Sequence, residues 1–169
     1  AFRFLGLTIV RSIELAQLSG FLFAAWGMYL LARGWLKSDW AGLLASVAYT
    51  VAPFHLVNIY VRGDSLAEFW AMACYPWIFL AVDHLLDYQG SKVPYGRLAV
   101  VAFTYAALIL SHNISALIFS PFLLLYLLLR MAPSLPGLPQ SEESRLTANS
   151  RRLWLALILA LLLALALSA

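Results

Sequence analysis

Apolar runs of roughly 15–20 residues recur along this chain, and each approaches the ~20 residues that a helix needs to cross a bilayer. Short segments bearing charge, proline or glycine separate them. Five such runs are read at 13–32, 40–59, 66–86, 98–110 and 115–130, and a sixth begins at Leu153 as almost pure Leu and Ala. The chain of 169 residues is 63% hydrophobic and 11% charged, against about 25% charged in a soluble domain. A soluble fold of this size must give much of its surface to water, so the excess apolar area has to face something else. With a mean hydropathy of +0.85, the expected fold is all-α, a polytopic transmembrane helical bundle of about six spans.

The charges give this bundle an orientation. If every run crosses, Arg33 and Lys37, then Lys92 and Arg97, then Arg130, Arg145, Arg151 and Arg152 fall on one side. Positive loops are retained in the cytoplasm, so these three loops are expected there, in the plasma (inner) membrane of a multi-pass protein. The net charge of +3 is spread among loops rather than gathered on one face, and no nucleic-acid partner is expected. One helix over 98–130 would be about 50 Å long, well beyond the ~30 Å hydrocarbon core, so two helices are expected with a break near Ser111.

Residues 1–131 are read as the transmembrane region. Residues 132–152 form a cytoplasmic loop, because Pro133, Pro136, Gly137 and Pro139 preclude a helix there. Residues 153–169 read as the start of a further span. Both ends read as cut, as in an internal piece of a longer protein. Cys74 lies alone in an apolar run and is expected as a small buried hydrophobe.

Two polar clusters interrupt the apolar pattern, and the alternation of loops assigns both to the extracytoplasmic side. The first follows Pro53 and contains His55, Arg62, Gly63, Asp64, Ser65 and Glu68. Ser65 and Glu68 have the spacing of a capping box at a helix start, and Asp64 and Glu68 suit the positive end of that helix. Arg62 and His55 are left over by that structural reading. A guanidinium beside a helix N-terminus favours an anion such as phosphate. The second cluster is Ser111-His112-Asn113. Asn113 could simply cap or break a helix, while irregular polar backbone at membrane depth is tolerated where it is buried in protein or lines a wet cavity. The candidate substrate-binding residues are therefore Arg62, His112, Asn113, Glu68, Asp64 and His55. No cysteine–histidine metal spacing is present, and no cofactor is expected, with a divalent metal left open.

Several strings, in order, carry a resemblance. They are Gly27-Met28-Tyr29-Leu30-Leu31-Ala32-Arg33, Ala48-Tyr49-Thr50-Val51-Ala52-Pro53-Phe54-His55, Tyr60-Val61-Arg62-Gly63-Asp64 with Ala67-Glu68-Phe69 and Pro76, and Leu110-Ser111-His112-Asn113. Over residues 6–130 the chain resembles bacterial membrane proteins labelled "6-pyruvoyl-tetrahydropterin synthase-related", which are similar to YfhO-like and other GT-C type glycosyltransferases. The resemblance implies a GT-C-like bundle that moves a sugar from a polyprenyl-phosphate donor on the extracytoplasmic side, with membrane lipid and that lipid-linked sugar as partners. It implies no soluble pterin chemistry. It also implies a catalytic carboxylate in a first external loop, which is expected to precede Ala1, so Asp64 and Glu68 are not assigned that role. A non-enzymatic transporter, a flippase-like protein or a purely structural membrane subunit are the competing readings.

Overall fold

A computed structural model describes residues 6, 8–61, 65–88, 94–131, 158–159, 161–162 and 165–166. The described elements are all helical: α1 (Ile9–Leu36), α2 (Asp39–Thr50), α3 (Pro53–Leu56) running into a π-helical turn (Val57–Val61), α4 (Leu66–Leu86), α5 (Tyr95–Ser111) and α6 (Asn113–Met131). The chain divides into two compact units, Ala1–Leu80 and Ala81–Ala169. Helix α4 contributes its residues up to 80 to the first unit and its last turns to the second.

In the first unit, α1 and α2 form a tight hairpin. Ser12 and Arg11 hydrogen-bond to Thr8 at the start of α1. Its end is set by Lys37 in the left-handed conformation, φ 52°, whose N–H returns to the Arg33 carbonyl. Ser38 then caps α2 by accepting from the Ala41 amide at 3.3 Å. Arg33 and Tyr29 converge on Asp39 of α2 at 2.7 and 2.9 Å. Helix α1 buries Gly20, Ala24, Gly27 and Leu31, one stripe at helical spacing. Against that stripe lie Phe69 and Trp77 of α4. Because the contacts advance together along both helices, α1 and α4 run parallel. The Trp77 indole stacks on Phe23 at 4.9 Å and donates to the Phe23 carbonyl at 3.0 Å. A Cβ at Gly27 would fall 2.5 Å from the indole nitrogen, so the close approach requires glycine there.

In the second unit, α5 and α6 are antiparallel about the break at His112. Tyr105 and Ser120, nearly equidistant from the break, share a 2.6 Å hydrogen bond. Helix α6 buries Ala116, Phe119, Leu123 and Leu127 and exposes Leu117, Ile118, Phe122, Leu125 and Leu129. Both faces are apolar, and among the described residues only one has protein against it. A helix that is hydrophobic all round belongs in a large core or in lipid.

Three helices, α1, α4 and the 113–130 part of α6, are long and apolar enough to cross a membrane. A fourth span results if α2 and the Pro53–Val61 helix count as one, although they are bent by 42°. Among the described residues the five runs expected there give three to four spans, and the sixth, from Leu153, lies largely outside them. The 40–59 run is broken because Pro53 cannot supply an amide to an uninterrupted α-helix, and α5 has 17 residues, short of a full span. The 66–86 run coincides with α4, and the expected break near Ser111 is present. The Pro-rich loop at 132–152 lies outside the described residues, as do most of those after 153.

Candidate functional site

The sequence-derived residues fall in both units, and each group is built differently. In the first unit, α2 ends at Thr50, whose hydroxyl turns back onto the carbonyls of Ser46 and Val47. Pro53 opens the next short helix at a position where a missing amide costs nothing. The chain then widens into the π-helical turn Val57–Val61. Such turns are rare and are often found at functional sites.

This path turns His55 and Asn58 inward, at 4% and 1% exposure, and leaves Tyr60 and Val61 outside. His55 is held edge-on between Tyr49 of α2, at 4.7 Å between ring centroids, and Phe69 of α4, at 6.2 Å. The Tyr49 hydroxyl donates instead to the Met72 carbonyl at 2.7 Å. Neither His55 ring nitrogen has a hydrogen-bond partner among the described residues. A buried imidazole without partners is costly.

Helix α4 begins beside that imidazole. The Ser65 carbonyl accepts from the Phe69 amide at 2.9 Å, making Ser65 the cap residue. The Ser65 hydroxyl donates to the Glu68 carboxylate at 3.0 Å. The two side chains of the capping-box spacing thus meet at the helix start. Glu68 is half-buried in the first turn. The structure thus brings His55 next to the turn that carries Glu68. Arg62 and Asp64 lie outside the described residues.

In the second unit, His112 caps α6. Its backbone is extended, φ −161° and ψ 103°, its carbonyl accepts from the Ala116 amide, and its Nδ1 accepts from the Ser115 amide at 3.2 Å. Because a backbone amide can only donate, Nδ1 carries no proton and the ring N–H falls on Nε2. The Ser115 hydroxyl adds a 2.7 Å bond to Nδ1. His112 therefore takes the capping place that composition would give to Asn113, and Asn113 stands exposed at the first helical position. Ser111 bonds back to the Ala107 carbonyl at 2.7 Å.

The same unit contains a polar cluster that sequence reasoning missed. Asp83, 6% exposed on α4, accepts from the Tyr126 hydroxyl and pairs with Arg130 at 3.3 Å. Arg130 also reaches Asp87 at 3.0 Å. Arg97 of α5 donates to the His84 carbonyl and lies over the Tyr88 ring at 5.0 Å. The partners are 43 and 47 residues from Asp83. The available sequence signal was the carboxylate pair Asp83 and Asp87, one turn apart at the end of an apolar run.

Among the described residues no group of three or more His, Cys, Asp or Glu side chains is gathered to hold a metal ion. No family model matches the chain, and no curated protein or solved structure gives a significant match.

Proposed function

We propose that this chain is part of a polytopic membrane glycosyltransferase of the GT-C type, taking its sugar from a polyprenyl-phosphate donor on the extracytoplasmic side. The observation that carries the reading is the Pro53 break. There a π-helical turn and the buried His55, whose ring nitrogens have no hydrogen-bond partner among the described residues, immediately precede Arg62 and the first turn of α4 in the sequence. Polar, irregular backbone inside an apolar bundle is expensive, and its sequence neighbour is a guanidinium. In glycosyl transfer from a lipid-linked phosphate, the leaving phosphate gains negative charge as the sugar departs. A fixed cation at that point lowers the barrier because it acts more strongly on the transition state than on the ground state.

In this reading Arg62 binds the donor phosphate, Asp64 and Glu68 serve the start of α4, and His55 sets the turn that precedes Arg62 in the sequence. His112 and Asn113 stand as further polar contacts for substrate. The positive loops, retained in the cytoplasm, support the side assigned to Arg62.

A second reading, a transporter or flippase, is favoured by one observation, the 42° bend between α2 and the Pro53–Val61 helix. Discontinuous helices build substrate pathways in transporters. The two readings separate in one reconstituted system that scores sugar release from a polyprenyl-phosphate donor alongside lipid translocation. Transfer without translocation is expected. Arg62→Ala should abolish transfer while membrane insertion stays intact, and retained transfer would remove Arg62 from the site.

A further inference from the structure

We propose that the α5–α6 hairpin is a site of local bilayer thinning, where phospholipid headgroups of one leaflet are drawn inward to the polar break at 111–113. The inference rests on the membrane reading of the helices and is independent of glycosyl transfer.

One end of the hairpin is pinned by charge. Arg130 at the end of α6 pairs with Asp83 and Asp87, and Arg97 in the first turn of α5 bonds to the His84 carbonyl. Ionised groups resist movement into hydrocarbon, so this end stays at the headgroup level. From there α5 has 17 residues, a rise of about 25 Å. The exposed apolar side chains of α6 extend from Ile114 to Leu129, a belt of about 22 Å at the helical rise. The hydrocarbon core is ~30 Å thick. Counted whole, the 19 residues of α6 are long enough to cross, but its apolar belt between Asn113 and Arg130, like the length of α5, falls several ångströms short of that core, and any tilt shortens the reach along the membrane normal still further.

The far end cannot simply sink. It carries the exposed Asn113 side chain, the His112 Nε2–H that the cap does not use, and the Asn113 and Ile114 amides at the start of α6. In hydrocarbon each polar group without a partner costs more than the bilayer loses per ångström of thinning. Thinning is the cheaper response, and the occupant of the 111–113 end is the headgroup and hydration layer of the surrounding leaflet. Helix α1, with 28 residues, has no such shortfall.

The test places a nitroxide at Asn113→Cys, in the chain carrying Cys74→Ala, in phosphatidylcholine vesicles of increasing acyl-chain length. Depth is read from accessibility to oxygen against a water-soluble nickel chelate. The Asn113 label should stay at the phosphate level throughout the series, while a label at Phe122→Cys, midway along α6, stays accessible to oxygen and closed to nickel. In the unsubstituted chain the Asn113 and Ile114 amides should exchange with bulk water even in the thickest vesicles. An Asn113 label that sinks into hydrocarbon as the bilayer thickens, or protection of those amides, would overturn the proposal. Nickel access at Phe122 would overturn the membrane reading of the hairpin with it.

Discussion

A carboxylate that is 6% exposed among apolar helices survives there only when its charge is answered, and Asp83 is answered by Tyr126 and Arg130. The energetic consequence is asymmetric. Removing the acid leaves Arg130 with Asp87 at 3.0 Å, so the cation keeps one partner. It also removes the Asp83 oxygen to which the Tyr126 hydroxyl donates. Asp83→Leu is therefore expected to destabilise by about 1–3 kcal/mol, below the range for stranding a wholly buried charge. Asp83→Asn keeps an oxygen for Tyr126 and should cost less. Thermal unfolding in detergent checks the order, and equal losses would mean that charge, rather than the hydroxyl, is what Asp83 answers. None of this network was legible in the sequence, because pairing across more than forty positions leaves no local pattern. Local residues read better: Ser65 and Glu68 are joined as neighbours at a helix start, and Cys74 is buried. His112 was legible as a break but not as its cap, since an imidazole is an unusual choice for that place.

At the level of elements, the apolar period gave α4 its bounds, and the polar triplet separated α5 from α6. The sequence pattern missed the bend at Pro53, because hydropathy sums over a window and is blind to one missing amide. It also made α1 too short: Arg11 and Glu14 sit in its first turns without ending it, pairing loosely at 3.9 Å on an exposed face. Gly20, Ala24 and Gly27 stand at helical spacing in the sequence of α1, whereas the aromatic rings that fill this small-residue stripe come from α4, far along the chain. That stripe carries a prediction with an internal control. Gly27→Ala would press a methyl against the Trp77 indole and should cost about 1–3 kcal/mol, the usual range for overpacking. A Cβ at Gly34 of the same helix meets nothing within 4 Å. Gly34→Ala should be neutral or stabilise by up to about 1 kcal/mol through helix propensity alone. Unfolding midpoints of the two variants, compared in one detergent, test this. A loss at Gly34 equal to that at Gly27 would show that backbone freedom, not ring packing, is what glycine supplies to α1.

For the whole molecule, the side of every later loop depends on whether α2 and the Pro53–Val61 helix cross the membrane or turn back. Their geometry favours crossing. The 12 residues of α2 rise about 18 Å, and the next nine, inclined by 42°, add roughly 10 Å along the same axis. That sum nearly matches the ~30 Å core, whereas a re-entrant pair would need its second half to reverse. Crossing separates Lys37 from Tyr60, both exposed in the first unit, and the proposed orientation puts Lys37 on the cytoplasmic side. In spheroplasts, Lys37→Cys should react with a membrane-impermeant maleimide only after lysis, and Tyr60→Cys should react before it, each in a chain carrying Cys74→Ala. If both react only after lysis, the pair is re-entrant, Arg62 faces the cytoplasm, and a donor phosphate arriving from outside could not meet it.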